Sequence, residues 1–211
     1  QMFYGLYKRV EGWFPNSEFH AEGLPSPEEL ALMEPLRSKL RPEVFGPAVI
    51  SPTTTPPPHS LRENLRQAQK LLAEAGWTYR DGALRNAKGE AFTIEVLNDQ
   101  PSTVRVMAPM QGTLRKLGIE MSFRSVDFSL AQQRMDNFDF EMTTIRLPGS
   151  SAPGSELFER FGSKAAETPG SSNIWGIQDP AIDAIVGKVV AAKTRPELVT
   201  AMRVLDRLLS H

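Results

Sequence analysis

The side chains that carry most enzyme chemistry are thinly spread in this sequence of 211 residues. Its three histidines, His20, His59 and His211, are isolated in or near loops or at the chain end. None shows the H-x-x-x-H spacing that sets two imidazoles on one helical face for zinc. Cysteine is absent, which removes thiolate nucleophiles, disulfides and Cys-based metal sites. No G-x-S-x-G elbow, P-loop or G-x-G-x-x-G occurs. Asp136, Asp139 and Glu141 cluster, but strand alternation sends Asp139 and Glu141 to solvent. The expectation is a protein that is not an enzyme, with no catalytic residue, metal or cofactor.

Two stretches are suited to binding instead. Thr143 to Gly154 combines a strand end with a loop dense in Gly, Pro and Ser, the kind of surface loop that often carries function. It contains Thr144, Ile145, Arg146, Leu147, Ser150 and Ser151. Arg146 is the only charge between Glu141 and Glu156. It reads either as a solvated arginine or as a cleft arginine that engages a carboxylate bidentately. The second stretch, Ser171 to Gly176, holds Asn173 and Trp175. Trp175 reads equally as a ring that shields a ligand side chain or as plain core.

The elements that must position these stretches centre on residues 60–126. Ser60 and Glu63 form a capping box, and Leu61, Leu65, Ala68, Leu72 and Ala75 share one helical face, opposite Arg62, Arg66, Gln69 and Lys70. Gly76 ends that helix. Asp81-Gly82 and Lys88-Gly89 are turn signals, and Phe92 to Val96 alternates as a strand. A helix over about Thr103 to Leu117, with Pro109 as a kink or a later start, leads to a strand from Ile119. Strand, helix, strand in this order predicts neighbouring parallel strands.

Elsewhere, residues 1–14 are aromatic-rich and read as a strand or extended entry segment. Ser26-Pro27 opens a helix to about Leu40, broken at Pro35. Residues 42–59 are a proline-rich connecting loop. Asp127 caps a helix with Leu130 and Met135 inward. Phe138, Phe140 and Met142 make a third strand. Helices follow near Glu156 to Phe161, after Asp179-Pro180, and after Thr194, the last with Leu198, Ala201, Met202, Leu205 and Leu209 as its stripe. The class is α/β, one domain over 1–211, a small mixed sheet with packed helices.

With 24 basic and 25 acidic residues the net charge is −1, without a block of one sign, so neither nucleic acid nor an anionic membrane is implied as partner. No run approaches the roughly 18 apolar residues of a membrane helix, so no direct membrane insertion is expected. The chain opens at Gln1 without an initiator Met, and is read as a fragment of a longer protein.

The order "LLAEAGW…DG…FTIEVL", "LRKLGIEMSFRSVD", "NFDFEM" resembles the peptide class of extracellular solute-binding proteins that serve ABC importers. "FYGLYKR" with "EGLPSPEELALMEPLRSKLRPEVFG" resembles one branch more closely, the oligopeptide binders linked to microcin C-type uptake. The resemblance runs over essentially the whole chain. It implies a single lobe of a type II periplasmic-binding-protein-like fold, the second or C-terminal lobe of a two-lobed parent that carries a signal peptide and resides in the periplasm of a Gram-negative bacterium. It implies an oligopeptide or peptide-like ligand, delivered to the membrane permease of an ABC importer. It also implies that the loop after "FDF" lines the cleft and pairs with an extended peptide, with Asn173 and Trp175 facing it. The family's peptide-binding branch often carries Gly-Trp and then an Asp that anchors the ligand amine. Here Thr144-Ile145-Arg146-Leu147-Pro148 stands instead, with Pro148 where that Asp would fall, so the amine anchor does not carry over. A ligand-sensing regulatory module on the same lobe and, further off, a small enzyme are the alternative functions.

Overall fold

Local signals in the sequence become elements close to where periodicity places them, and long-range contacts decide the rest. The computed structural model describes residues 9–51, 60–146 and 149–211. In the first stretch the Ser26 hydroxyl accepts from the Glu29 N–H (3.2 Å), and Pro27 occupies the first turn of α1 (Pro27–Met33). The helix gives way at Pro35, as expected, to a 3-10 segment over Glu34–Lys39. No strand forms across residues 9–14. The rest of that expected strand, and residues 52–59 of the proline-rich loop, lie outside the described residues.

Helix α2 (Leu61–Glu74) starts where the Ser60 hydroxyl accepts from the Glu63 N–H (3.1 Å). Leu65, Ala68 and Leu72 pack with Leu84, Leu117 and Ile119. The ends of the expected stripe, Leu61 and Ala75, are exposed. The helix closes in a Schellman turn. The Trp77 N–H reaches the Leu72 carbonyl (2.9 Å) and the Gly76 N–H that of Ala73 (3.0 Å), with Gly76 at φ 86°. Strands β1 (Thr78–Arg80) and β2 (Ala83–Arg85) form an antiparallel hairpin through Asp81-Gly82. Both turn residues have positive φ, the backbone of a type I′ turn.

Strands β3 (Thr93–Asn98) and β4 (Glu120–Ser125) are parallel neighbours, in register from Thr93 beside Glu120 to Asn98 beside Ser125, joined through α3 (Pro101–Arg115). Pro109 lies inside that helix at an exposed position, so the missing donor costs no buried partner. Helix α4 (Phe128–Asp136) is capped by Asp127, which accepts from the Leu130 N–H (3.0 Å). Its buried residue is Ala131, whereas Leu130, expected inward, is exposed. The third strand is shorter than expected: β5 is Met142–Thr143, parallel to β3, giving the order β4-β3-β5. Phe138 is not in it. It sits at φ 57° in a second Schellman turn, where the Asp139 N–H bonds the Arg134 carbonyl (2.8 Å). The class is α/β, as expected. The small sheet is parallel throughout, and the hairpin is a separate two-stranded sheet.

Among the described residues three further α-helices follow: α5 (Glu156–Phe161), α6 (Pro180–Ala191), capped by Asp179, and α7 (Arg195–Ser210), capped by Thr194. Ile182, Ile185, Val186 and Val189 of α6 join Ala201, Met202 and Leu205 of α7 in one core. Helix α7 is more deeply enclosed than its apolar stripe implied, because Asp206 and Arg207 are buried as well. The Asp206 carboxylate accepts the N–H groups of Trp13 (2.6 Å), Phe14 (3.2 Å) and Ala21 (2.8 Å), and pairs with His20 Nδ1 (3.0 Å). Arg207 donates to Glu29 (2.8 Å) and to the carbonyls of Glu22, Gly23 and Gly46. His20, expected as an isolated surface residue, is therefore tied to a buried carboxylate.

By packing, the described chain divides into two units, one from residues 9–51 and 149–211, the other from 60–146. The physical reason is that their cores share no residue: one is built on α6 and α7, the other on the parallel sheet with α2 and α3.

The burial pattern ranks three substitutions. Asp206→Asn turns a donor toward buried N–H groups and is expected to cost about 3–5 kcal/mol. Leu72→Ala, at a half-buried position, is expected to cost about 1–2 kcal/mol. Lys70→Ala, on the exposed face, is expected to cost under about 0.5 kcal/mol. Urea melts of the three variants give this order; comparable losses at Leu72 and Lys70 would show that the helix phase is wrong.

Candidate functional site

The residues singled out for binding fall on both units. Thr144, Ile145 and Arg146 follow β5 in the unit of residues 60–146, and all three are exposed. The strand end beneath them is fixed by the Thr143 hydroxyl, which donates to the Leu97 carbonyl (3.2 Å). Arg146 has no hydrogen-bond or ion-pair partner among the described residues. Leu147 lies outside the described residues, as does Pro148.

Ser150 and Ser151 belong to the other unit, in a loop that is firmly held. The Ser150 hydroxyl accepts from the Ala152 N–H (3.1 Å), and the Ser151 carbonyl accepts from Arg195. The Arg195 guanidinium also pairs with Glu18 and lies 4.9 Å from the centre of the Phe19 ring. Farther along, Pro153 is buried and the Glu156 carboxylate receives the Gly154 N–H (3.0 Å). The exposed serines are thus the outer surface of a wall pinned to α5 and α7.

Asn173 has a different role from the ligand-facing one expected. It is fully buried, its amide donates to the carbonyls of Gly162 (3.1 Å) and Ile177 (2.9 Å), and its oxygen accepts from the Ile177 N–H (3.0 Å). With both donors engaged it braces the turn that presents Trp175. Trp175 is half-buried. It stacks on Phe161 (5.7 Å between centroids, 29°) and meets Trp13 edge-on (5.2 Å, 79°). Of the two readings open for Trp175, the described contacts are those of core.

The rings that Trp175 supports are the ones that border open space. Trp13, Phe14, Phe19, Leu157, Phe161 and Met202 line a hollow of about 200 Å³, with Gly149 and Ser150 at its edge. Leu157 and Phe161 lie one helical turn apart on α5, and Glu156 and Arg160 flank them at the same spacing. Sequence reasoning noted that residues 1–14 are aromatic-rich but read them as a strand or entry segment, and it did not single out Phe161 or Arg160 as site residues. The available signal was the i, i+4 repeat of Glu156, Leu157, Arg160 and Phe161. Near the entrance of the chain, Glu11 accepts from the Ser51 N–H (2.9 Å), and this bond holds its carboxyl below the usual range. Among the described residues no group of three or more His, Asp or Glu side chains converges on one point.

The fold is shared with solved periplasmic oligopeptide-binding proteins. The oligopeptide-binding protein AppA of Bacillus subtilis, solved with a nonapeptide, superposes with a TM-score of 0.60 at 20% identity, over 87% of this chain and 37% of that one. In sequence, residues 1–169 match the family described as bacterial extracellular solute-binding proteins, family 5 Middle, and the chain belongs to that family. It is 39% identical over 207 residues, 98% of its length, to the probable peptide-binding protein YejA of Agrobacterium fabrum, and spans 34% of that relative. It is 31% identical over 97% of its length to the peptidoglycan-binding protein YepA of the same organism, and spans 33% of it. The chain therefore spans about a third of the length of the curated relatives it matches. No helix among the described residues is long and apolar enough to cross a membrane.

The brace assigned to Asn173 has a measurable consequence. Asn173→Ala leaves the buried Gly162 carbonyl and both backbone groups of half-buried Ile177 without this partner, and is expected to cost about 2–4 kcal/mol. Ser151→Ala, where the backbone carbonyl makes the contact, is expected to change stability by under about 0.5 kcal/mol. Thermal melts of both variants check this pair; a silent Asn173→Ala would contradict the brace.

Proposed function

We propose that this chain is part of the second lobe of a periplasmic substrate-binding protein that carries oligopeptides or peptide conjugates to the permease of an ABC importer. The observation that carries the reading is the 39% identity, over nearly the whole chain, to a protein named as a probable peptide-binding protein. The similarity to a peptidoglycan-binding relative supports extending the ligand class from plain peptides to conjugates that contain a peptide. The mechanism is hinge closure: two lobes trap the ligand between them, and the closed form is what the transporter recognises. Arg146, exposed and without a partner among the described residues, is the side chain of the β5 loop best suited to take a ligand carboxylate. A protein of this kind works in the periplasm of a Gram-negative cell and needs no cofactor.

Calorimetric titration with a peptide pool tests the reading. The full-length protein containing this chain is expected to bind, and the 211-residue chain alone, which offers one open wall, to bind at least about a hundredfold more weakly. In the full-length protein Arg146→Ala is expected to weaken binding by about 1.5–3 kcal/mol while leaving the apo melting temperature nearly unchanged. No heat from the full-length protein with any peptide would overturn the transport reading. Undiminished binding by the isolated chain would favour a self-contained sensing module or enzyme.

A further inference from the structure

The hollow beside α5 has the build of a subsite. Its base is buried and apolar, formed by Leu157, Phe161 and Met202. Trp13 and Phe14 stand over it on backbone held by Asp206, and Trp175 backs Trp13 and Phe161 from behind. At about 200 Å³ it is smaller than the roughly 300 Å³ at which whole small-molecule sites begin, so it suits one large apolar group.

The polar groups around it are already engaged, with one exception. The Ser17 hydroxyl donates to the Phe14 carbonyl (2.6 Å) and accepts from the Phe19 N–H (3.2 Å). Glu156 stands four residues before Arg160, a spacing that permits an ion pair, yet both its oxygens are turned to the Gly154 N–H (3.0 Å each). Arg160 is half-buried and has no hydrogen-bond or ion-pair partner among the described residues. A guanidinium partly withdrawn from water beside an aromatic hollow gains most from an anion with planar geometry, and a carboxylate accepts its two parallel N–H donors.

We infer that this hollow, with Arg160, takes an apolar or aromatic side chain carried next to a carboxylate, the arrangement found at the carboxyl-terminal residue of a peptide. The inference rests on the peptide-binding reading above and adds to it which end and which side-chain class of the ligand this unit receives. Glu156 and Arg160 bring one charge of each sign to the lining, and of the two only Arg160 lacks a hydrogen-bond partner among the described residues, so it is the group left to meet a ligand carboxylate.

The test uses the 211-residue chain, isotope-labelled, with N-acetyl-L-phenylalanine, its amide and N-acetylglycine as probes, followed through the Trp13 indole and Met202 methyl signals. The acid is expected to shift those signals and to bind about tenfold more tightly than the amide, with N-acetylglycine weaker than either. Arg160→Gln is expected to keep the free-state spectrum and abolish the preference for acid over amide. Equal binding of acid and amide, a preference that survives Arg160→Gln, or shifts confined to residues away from the hollow would each overturn the assignment. The acid–amide comparison needs no variant, so it decides the matter even where Arg160→Gln is poorly folded. An acid preference in this chain combined with no peptide binding by the full-length protein would uphold the hollow and sink transport. Peptide binding by the full-length protein without an acid preference in this chain would do the reverse.

Discussion

Two adjacent charges at the end of α7 organise the unit of residues 9–51 and 149–211. Asp206 and Arg207 are each only 1% exposed, a position that is costly for an ion unless every valence is answered. Consecutive residues on a helix point about 100° apart, so the two side chains reach in different directions. Asp206 collects the backbone around residues 13–21, and Arg207 collects Glu29 and the carbonyls of Glu22, Gly23 and Gly46. The stretch they hold forms no strand among its described residues, so it has no ladder for its buried N–H and carbonyl groups. The charged side chains supply the partners that a sheet would otherwise provide. Gly12 marks how closely they fit. It has φ 68°, and a Cβ there would lie 2.6 Å from the Asp206 carboxylate.

This arrangement connects stability to the hollow. The same carboxylate that closes the core fixes the N–H groups of Trp13 and Phe14, and the Trp13 indole donates to the Leu209 carbonyl (2.8 Å). Phe161 then meets Trp13 edge-on at 5.6 Å and Phe14 at 6.3 Å. Rings pinned at both backbone and side chain lose little freedom when a ligand group enters, which is the advantage of a preorganised wall.

What the sequence made legible was local. The Ser60 capping box, the Gly76 stop, the Asp81-Gly82 turn and the two parallel strands each depend on residues within a few positions or on one simple alternation. Asp206 and Arg207 were hidden because their partners lie more than 160 residues earlier in the chain, and polar residues beside an apolar stripe read as surface. The candidate site was less legible for the same reason. Asn173 and Trp175 were flagged by type, but their roles follow from Gly162, Ile177 and Phe161, which no local pattern ties to them. Arg160 draws its interest from what it lacks, and no sequence pattern reports an unmade contact.

The unit of residues 60–146 uses charge differently, at a sheet edge rather than in a core. Phe138 holds a left-handed backbone that is unfavourable for a bulky residue, and the turn persists because Arg134 grips both the carbonyl (3.0 Å) and the carboxylate (2.9 Å) of Asp139. Because the chain is still reversing through Phe138 and Asp139, β5 cannot begin where alternation suggested, and only Met142 and Thr143 reach β3. The Glu95 N–H, one residue short of that pairing, is met instead by the Glu141 carboxylate (2.6 Å). Arg124 and Arg134 then stand 3.7 Å from the Glu95 carboxylate, in partly exposed pairs that add little stability of their own. Asp139 and Glu141, exposed as alternation suggested, therefore hold the chain at the start of this short strand, and that strand carries Thr144, Ile145 and Arg146 at its tip.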